Sequence, residues 1–402
     1  MKALKEYITV RFDLGEAYIK KSRLREIAEV NAIIFDCDGV LIDVRESYDK
    51  AIARATSWIF EALTGHKIPE ELISSEVIFS FRRSGGFNND HDIVYGLLMF
   101  LLSEMPAGFI KELSEAMKTV ECGGSNFRKV LAVGDMIRAA FPLIDAGVLI
   151  NRLKDFTYML NNDGVASIDR AILSSKGIPR DVYDTLKSFL YGSGRVSGSI
   201  IAKVFEEIFC GPELFRRVYG LEPELFHGPG TIENSWVIVR RETLESFSQL
   251  VGWGKLGIAS GSMFAPAKHV LGDILEYFNP RALVFLNDVR QIEEEYLRRG
   301  FLKISLAKPN PYQLFKSAWS LEPFKNTLYI GDSMEDVFMV ERANKLDQRF
   351  IFAGVYAYTG AKDMALHEFL KSGCDIISPS VNEIPSIIEA VRRRVFEGGG
   401  IL

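Results

Sequence analysis

The sequence predicts an α/β fold: a Rossmann-like open parallel sheet with a large inserted α-helical domain. Two patterns carry this. Short apolar runs of strand length occur at 32–35, 256–259, 282–286, 327–330, 350–355 and 375–377, most of them followed by helix-like stretches such as 334–343. Strand, loop and helix in repetition argue for parallel strands covered by helices. The second pattern is an interruption: more than 200 residues separate the first run from the second, and that interval has helical periodicity.

Along the chain, residues 1–30 form an N-terminal extension that reads as a strand and an amphipathic helix, with no packing assigned. Residues 31–44 and 236–397 make the α/β core, whose apolar runs lack the polar alternation of a half-exposed strand. Residues 45–235 are the inserted helical domain. Apolar residues three and four apart recur there at 45–63, 91–102, 107–120 and 180–190. Breaks fall at "RRSGGFNND" (82–90), "YGSGRVSGS" (191–199) and "FHGPGTIENS" (226–235). The glycine-serine stretch at 191–199 lacks the lysine and the preceding strand of a phosphate loop, so it reads as a connector. The terminal "GGGIL" (398–402) reads as a frayed tail.

Composition excludes several function classes. The chain has 402 residues, 48% hydrophobic and 25% charged, enough for a full core in more than one domain. Net charge is −5, and the only basic triplet, at 392–394, reads as a solvated helix face, so nucleic acid is not an expected partner. The N-terminus has no apolar core of signal-peptide length, and no run of about eighteen apolar residues marks a membrane span. The four cysteines, Cys37, Cys122, Cys210 and Cys374, are scattered and suit a reducing compartment. A cytoplasmic protein is expected.

Four stations carry chemistry. The first is "IIFDCDGVLID" (33–43), where Asp36 and Asp38 follow an apolar run and Gly39 permits a sharp turn. Carboxylates this close repel, so they need a cation, or one must hold a proton. The second, "LGIASGS" (256–262), ends in Ser260 and Gly261; the third, "LAKPNP" (306–311), presents Lys308 before two prolines. The fourth, "TLYIGDSMEDV" (327–337), ends a strand at Asp332 and places Asp336 in the first turn of the next helix. Taken singly, these residues read as Asx turns, helix caps and a surface cation. Four in this order, all at strand carboxyl ends, are hard to explain by structure alone.

With these residues the sequence resembles the haloacid dehalogenase (HAD) superfamily of phosphotransferases. The position of the insertion resembles the C1-capped subfamily (subfamily IA), which includes phosphoglycolate phosphatases and β-phosphoglucomutases. The resemblance implies that Asp36 is the nucleophile, Asp38 the general acid and base, Ser260 and the backbone near Gly261 hydrogen-bond donors to the phosphoryl group, and Lys308 a partner of Asp36 and phosphate. It also implies Mg2+ held by Asp36, Asp38 through its backbone carbonyl, Asp332 and Asp336. The dehalogenases that name the superfamily lack the second aspartate, so dehalogenation is not expected. The expected function is magnesium-dependent hydrolysis of a small phosphorylated metabolite through an aspartyl-phosphate. A phosphoglucomutase-like transferase and a non-catalytic binding or assembly protein remain open alternatives.

In the insertion, "FRRSGGFNNDHD" (81–92) is the candidate substrate-reading segment. Arg82 or Arg83 could clamp a second anionic group while Asn88 and Asn89 meet hydroxyls; equally, the segment is a loop before a helix capped at Asn89 or Asp90. His66, His91, His227, His269 and His367 show no ligand spacing and read as surface or capping residues. Cys37 alternates with its neighbours and is assigned no role. Two departures from the family pattern stand out: an oversized insertion, and a charged stretch at 287–305 that lengthens the approach to Lys308.

Overall fold

The computed structural model describes residues 3–68, 72–87, 89–120, 126–137, 146–302 and 304–398. The chain divides into two compact units, Met1–Val44 with Ser235–Leu402, and Arg45–Asn234.

The first unit is built on strands β1 (Tyr7–Phe12), β2 (Gly15–Lys20), β3 (Val30–Phe35), β4 (Ile42–Asp43), β5 (Trp236–Val237), β6 (Leu256–Ala259), β7 (Leu283–Val284), β8 (Asn326–Gly331), β9 (Phe350–Val355) and β10 (Ile376–Ser378). Eight form one sheet in the order β1-β2-β10-β9-β8-β3-β6-β7, while β4 and β5 pair with each other. From β10 across to β7 every pairing is parallel. The apolar runs earn their place by burial on both faces: every residue of β6, β8 and β9 is buried. Helices supply the cover. Phe247 of the helix Arg241–Val251 meets Phe35 edge-on at 5.3 Å, and Phe369 of Lys362–Ser372 meets Phe352 at 5.9 Å.

Two segments differ from the sequence reading. Residues 3–29 form a β-hairpin flanked by two 3-10 turns and a short α-helix, Leu24–Ala28, instead of a strand and an amphipathic helix. The hairpin forms because β2 finds a partner at the sheet margin: Ile19 pairs antiparallel with Ile376, and the Tyr7 hydroxyl donates to the Cys374 carbonyl at 2.8 Å. In the run 282–286 only Leu283–Val284 is strand, because Asp288 Oδ2 accepts the Phe285 N–H at 2.9 Å and starts a helix at Leu286. Most of the charged stretch lies in that helix, Leu286–Arg298, whose buried face is reduced to Val289.

The second unit is helical. Its centre is Asp90–Ser103, apolar on all sides and buried from Ile93 to Ser103, the signature of a helix enclosed by others. Among the helices around it are Tyr48–Thr64 and Ile200–Tyr219, the latter broken by Gly211 and Pro212. Enclosure corrects the reading of His91. It is buried, not superficial, and its Nε2 lies 2.9 Å from Glu206 Oε1. The other four histidines are at least partly exposed. Cys37, Cys210 and Cys374 are free and buried; Cys122 lies outside the described residues, as does all of the terminal "GGGIL" beyond Gly398. Among the described residues no helix is long and apolar enough to cross a membrane.

One buried carboxylate closes this unit. Glu207 Oε2 accepts the backbone N–H groups of Glu224, Leu225 and Phe226 at 2.9, 2.6 and 3.2 Å. Glu207→Ala strands all three donors and should cost about 2–4 kcal/mol of stability, whereas Glu207→Gln should cost less. Urea unfolding midpoints of the two variants check this ordering.

Candidate active site

The site forms where parallel strands end. Phe35 of β3 pairs with Ile258 of β6 on one side and Ile330 of β8 on the other, so the residues that follow these strands emerge on one edge of the sheet. The chain runs from β3 outward to β6 and β7, then crosses back to β8, β9 and β10. Such a reversal opens a crevice outside the strands' carboxyl ends. Asp36, Ser260 and Asp332 each lie one residue beyond a strand on this edge.

The turn after β3 is wound tightly. The amides of Val40, Leu41 and Ile42 converge on the Cys37 carbonyl at 3.3, 2.7 and 2.9 Å. Gly39 makes the turn possible with φ +71°, and a Cβ there would stand 2.0 Å from Asp332 Oδ2. Asp36 Oδ1 accepts the Cys37 N–H at 2.7 Å, and Asp38 Oδ2 accepts the Ser262 hydroxyl at 2.5 Å. Cys37 itself is sealed inside. Burial, reinforced by Asp38 and Asp36, pushes its thiol well above the ordinary range, so it stays protonated and inert.

Lys308 stands at the centre of charge. Its buried Nζ is 2.8 Å from Asp36 Oδ2, 2.8 Å from Asp336 Oδ1 and 2.7 Å from the Tyr329 hydroxyl. Burial works against the ammonium, but Asp336 and Asp36 outweigh it and hold Lys308 above its ordinary value. For Asp36 the largest influence is again burial, which raises its pKa; Lys308 opposes this and Asp336 adds to it, leaving Asp36 above the usual carboxylate range.

Asp336 is a helix cap, as one reading of its sequence position has it. Its Oδ2 accepts the Ser333 N–H at 3.2 Å and the Ser333 hydroxyl at 2.7 Å, completing a capping box on the helix Met334–Asn344. Its Oδ1 faces Lys308 and Tyr329. The strand ends in glycine for this reason: a Cβ on Gly331 would lie 2.5 Å from Asp336 Oδ2.

Carboxylate oxygens of Asp36, Asp332 and Asp336 all lie within 4.8 Å of one another. A six-coordinate Mg2+ places oxygens on opposite sides roughly 4 Å apart, so this hard, all-oxygen set fits such an ion and does not suit a soft metal. The Asp38 side chain is turned to Ser262 instead.

Ser260 is buried, with its Oγ 3.2 Å from the Ser262 amide and 3.2 Å from the Ser262 hydroxyl. Its amide donates to Val284 O at 3.0 Å and its carbonyl accepts the Gln313 side-chain N–H at 2.7 Å. Beside it Gly261 opens to space, since a Cβ there would meet nothing within 4 Å. Asp36, Asp38, Ser260, Gly261, Lys308, Asp332 and Asp336 thus share one edge.

Sequence reasoning passed over Ser262, Gln313 and Tyr329. Only Tyr329 left a trace, as a hydroxyl inside the apolar run "TLYIG".

The residues singled out in the insertion belong to the helical unit and are held by partners within it. Arg82 reaches Asp49 at 3.3 Å and Asp90 at 3.0 Å. The Arg83 guanidinium lies 4.2 Å from the centre of the Tyr158 ring. Asn89 caps the helix Asp90–Ser103 by accepting the His91 N–H at 3.2 Å. Asn88 lies outside the described residues.

No protein-family model and no curated protein matches the chain. Among solved structures it is similar to a crystal structure determined as Northeast Structural Genomics Consortium target ZR25, at 15% identity and TM-score 0.60, over 92% of this chain and 100% of that one. A second, phosphatase Tt82 from Thermococcus thioreducens, aligns at 23% identity and TM-score 0.44, over 84% of this chain and 97% of its own. The first likeness extends the α/β fold with its helical unit to a distant chain.

Proposed function

We propose that this protein is a magnesium-dependent phosphoric monoester hydrolase of the HAD type, acting on a small phosphorylated metabolite in a reducing compartment. The observation that carries the reading is the buried Lys308 ammonium between Asp36 and Asp336, with Asp332 close enough to complete a three-carboxylate cluster. A folding core has no use for carboxylates crowded at the rim of a ligand crevice. Phosphoryl transfer does, because its demands are positioning and charge compensation.

Asp36 is the nucleophile. Its carboxylate attacks phosphorus, the bond to the leaving oxygen breaks, and Asp38 gives that oxygen its proton. Asp38 then takes a proton from a water, which attacks the aspartyl-phosphate, releases inorganic phosphate and restores Asp36. Ser262, bonded to Asp38, holds the acid in line. Ser260 and the open backbone at Gly261 receive the phosphoryl oxygens, and Lys308 balances charge on Asp36. Asp36, Asp332 and Asp336 would hold magnesium, with the Asp38 carbonyl as a further donor; bound there, it supplies the positive charge that lets a phosphate dianion approach carboxylates. The inserted helical domain, residues 45–235, corresponds to the C1-type cap of the HAD resemblance.

Phosphate release from a panel of phosphorylated sugars, glycerates, glycolate and nucleotides should require magnesium and stop with EDTA. Asp36→Asn should remove at least about a thousandfold of the rate; full activity in that variant would refute the assignment.

Asp38→Asn should discriminate by leaving group. Alkyl phosphates need a proton on departure and should slow by about a hundredfold or more, while p-nitrophenyl phosphate should lose less. Equal losses on both would remove Asp38 from the role of acid.

A further inference from the structure

The hydroxyl of Tyr329 has no packing reason to exist. Tyr329 sits fully buried in β8 between Leu328 and Ile330, both also fully buried. Phenylalanine would fill nearly the same volume without a polar group to desolvate. The hydroxyl instead finds three polar atoms of the site: Lys308 Nζ at 2.7 Å, the Ala259 carbonyl at 3.0 Å and Asp336 Oδ1 at 3.0 Å.

We propose that Tyr329 is a positioning residue, whose hydroxyl fixes the direction of the Lys308 ammonium and ties it to the end of β6. The inference rests on the phosphatase reading above for its catalytic consequence. An ammonium has three protons. Two of those on Lys308 point to Asp36 and Asp336, and the Tyr329 oxygen accepts at 2.7 Å as a further anchor that narrows where the nitrogen can sit.

The direction of each bond follows from the chemistry. Lys308 has no acceptor, so it donates to the tyrosine oxygen, and the tyrosine's own proton goes to Ala259 O or to Asp336. Ala259 is the last residue of β6, and Ser260 follows it. The strand β3 lies between β8 and β6, so the contact needs a side chain long enough to cross a strand. Serine and threonine are too short. One oxygen thereby joins the lysine loop, the Asp336 helix and the serine loop.

Tyr329→Phe keeps the ring in the core and deletes only this junction. The expected result is a kcat lower by about ten- to a hundredfold, with KM within about twofold and a melting temperature within a few degrees of wild type. A second measurement does not depend on turnover: thermal midpoints of wild type, Tyr329→Phe, Lys308→Met and the double variant. If the hydroxyl acts through Lys308, the two substitutions combine to less than the sum of their separate effects. An unchanged kcat, a rate loss that merely tracks loss of folded protein, or additive midpoints would overturn the proposal. Should the wild-type protein turn over no phosphoester, the phosphatase reading falls, and the cycle alone decides whether the hydroxyl is wired to Lys308.

Discussion

The buried ammonium of Lys308 is the constraint on which the rest of the site depends. Two unit charges about 4 Å apart interact by roughly 4 kcal/mol at the effective dielectric of a protein margin, and three carboxylates within 4.8 Å make such repulsions mutual. Lys308 lies 2.8 Å from two of them and turns repulsion into a bonded network. Its position decides where the neighbouring groups can go. Asp336 leans over the strand end, and the Tyr329 hydroxyl lies within hydrogen-bond distance of both Lys308 and Asp336. Gly331 follows from the first of these, because a side chain there would collide with Asp336.

The sheet supplies the convergence. Three parallel strands in register deliver three loops to one edge, and the reversal of strand order beside β3 leaves room between them. No single segment could do this, since Asp36 and Asp332 are almost three hundred residues apart in the chain. The helical unit is inserted between β4 and β5: the chain leaves the α/β unit after Val44 and re-enters it at Ser235. An insertion there changes neither the register of β3 nor the turn that holds Asp36 and Asp38.

Much of this was legible in the sequence because two signals coincide. Buried parallel strands must be apolar throughout, so the runs at 256–259, 327–330 and 350–355 announce themselves, and a carboxylate directly after such a run is conspicuous. What the sequence hid has a physical pattern too. The strands of the N-terminal hairpin mix polar and apolar residues because the outer one, β1, is a margin strand in which only Tyr7 and Val10 are buried. The run 282–286 looks like strand, yet Asp288 captures the Phe285 amide and turns the chain into helix. His91 shows no ligand spacing and so reads as a surface or capping residue, although the helix it opens is enclosed. Ser262, Gln313 and Tyr329 matter through atoms far away in the chain, and only the folded sheet brings those atoms near.

The central claim is that Asp36 carries the phosphoryl group during turnover. The most direct measurement is to mix the protein with magnesium and a phosphoester that it hydrolyses, quench in acid during steady state, and map the modified peptide by mass spectrometry. The account predicts one acid-stable, base-labile phosphoryl group on the peptide containing Asp36, absent from Asp36→Asn. A phosphoryl group on any other residue, or continued turnover by Asp36→Asn, would contradict it.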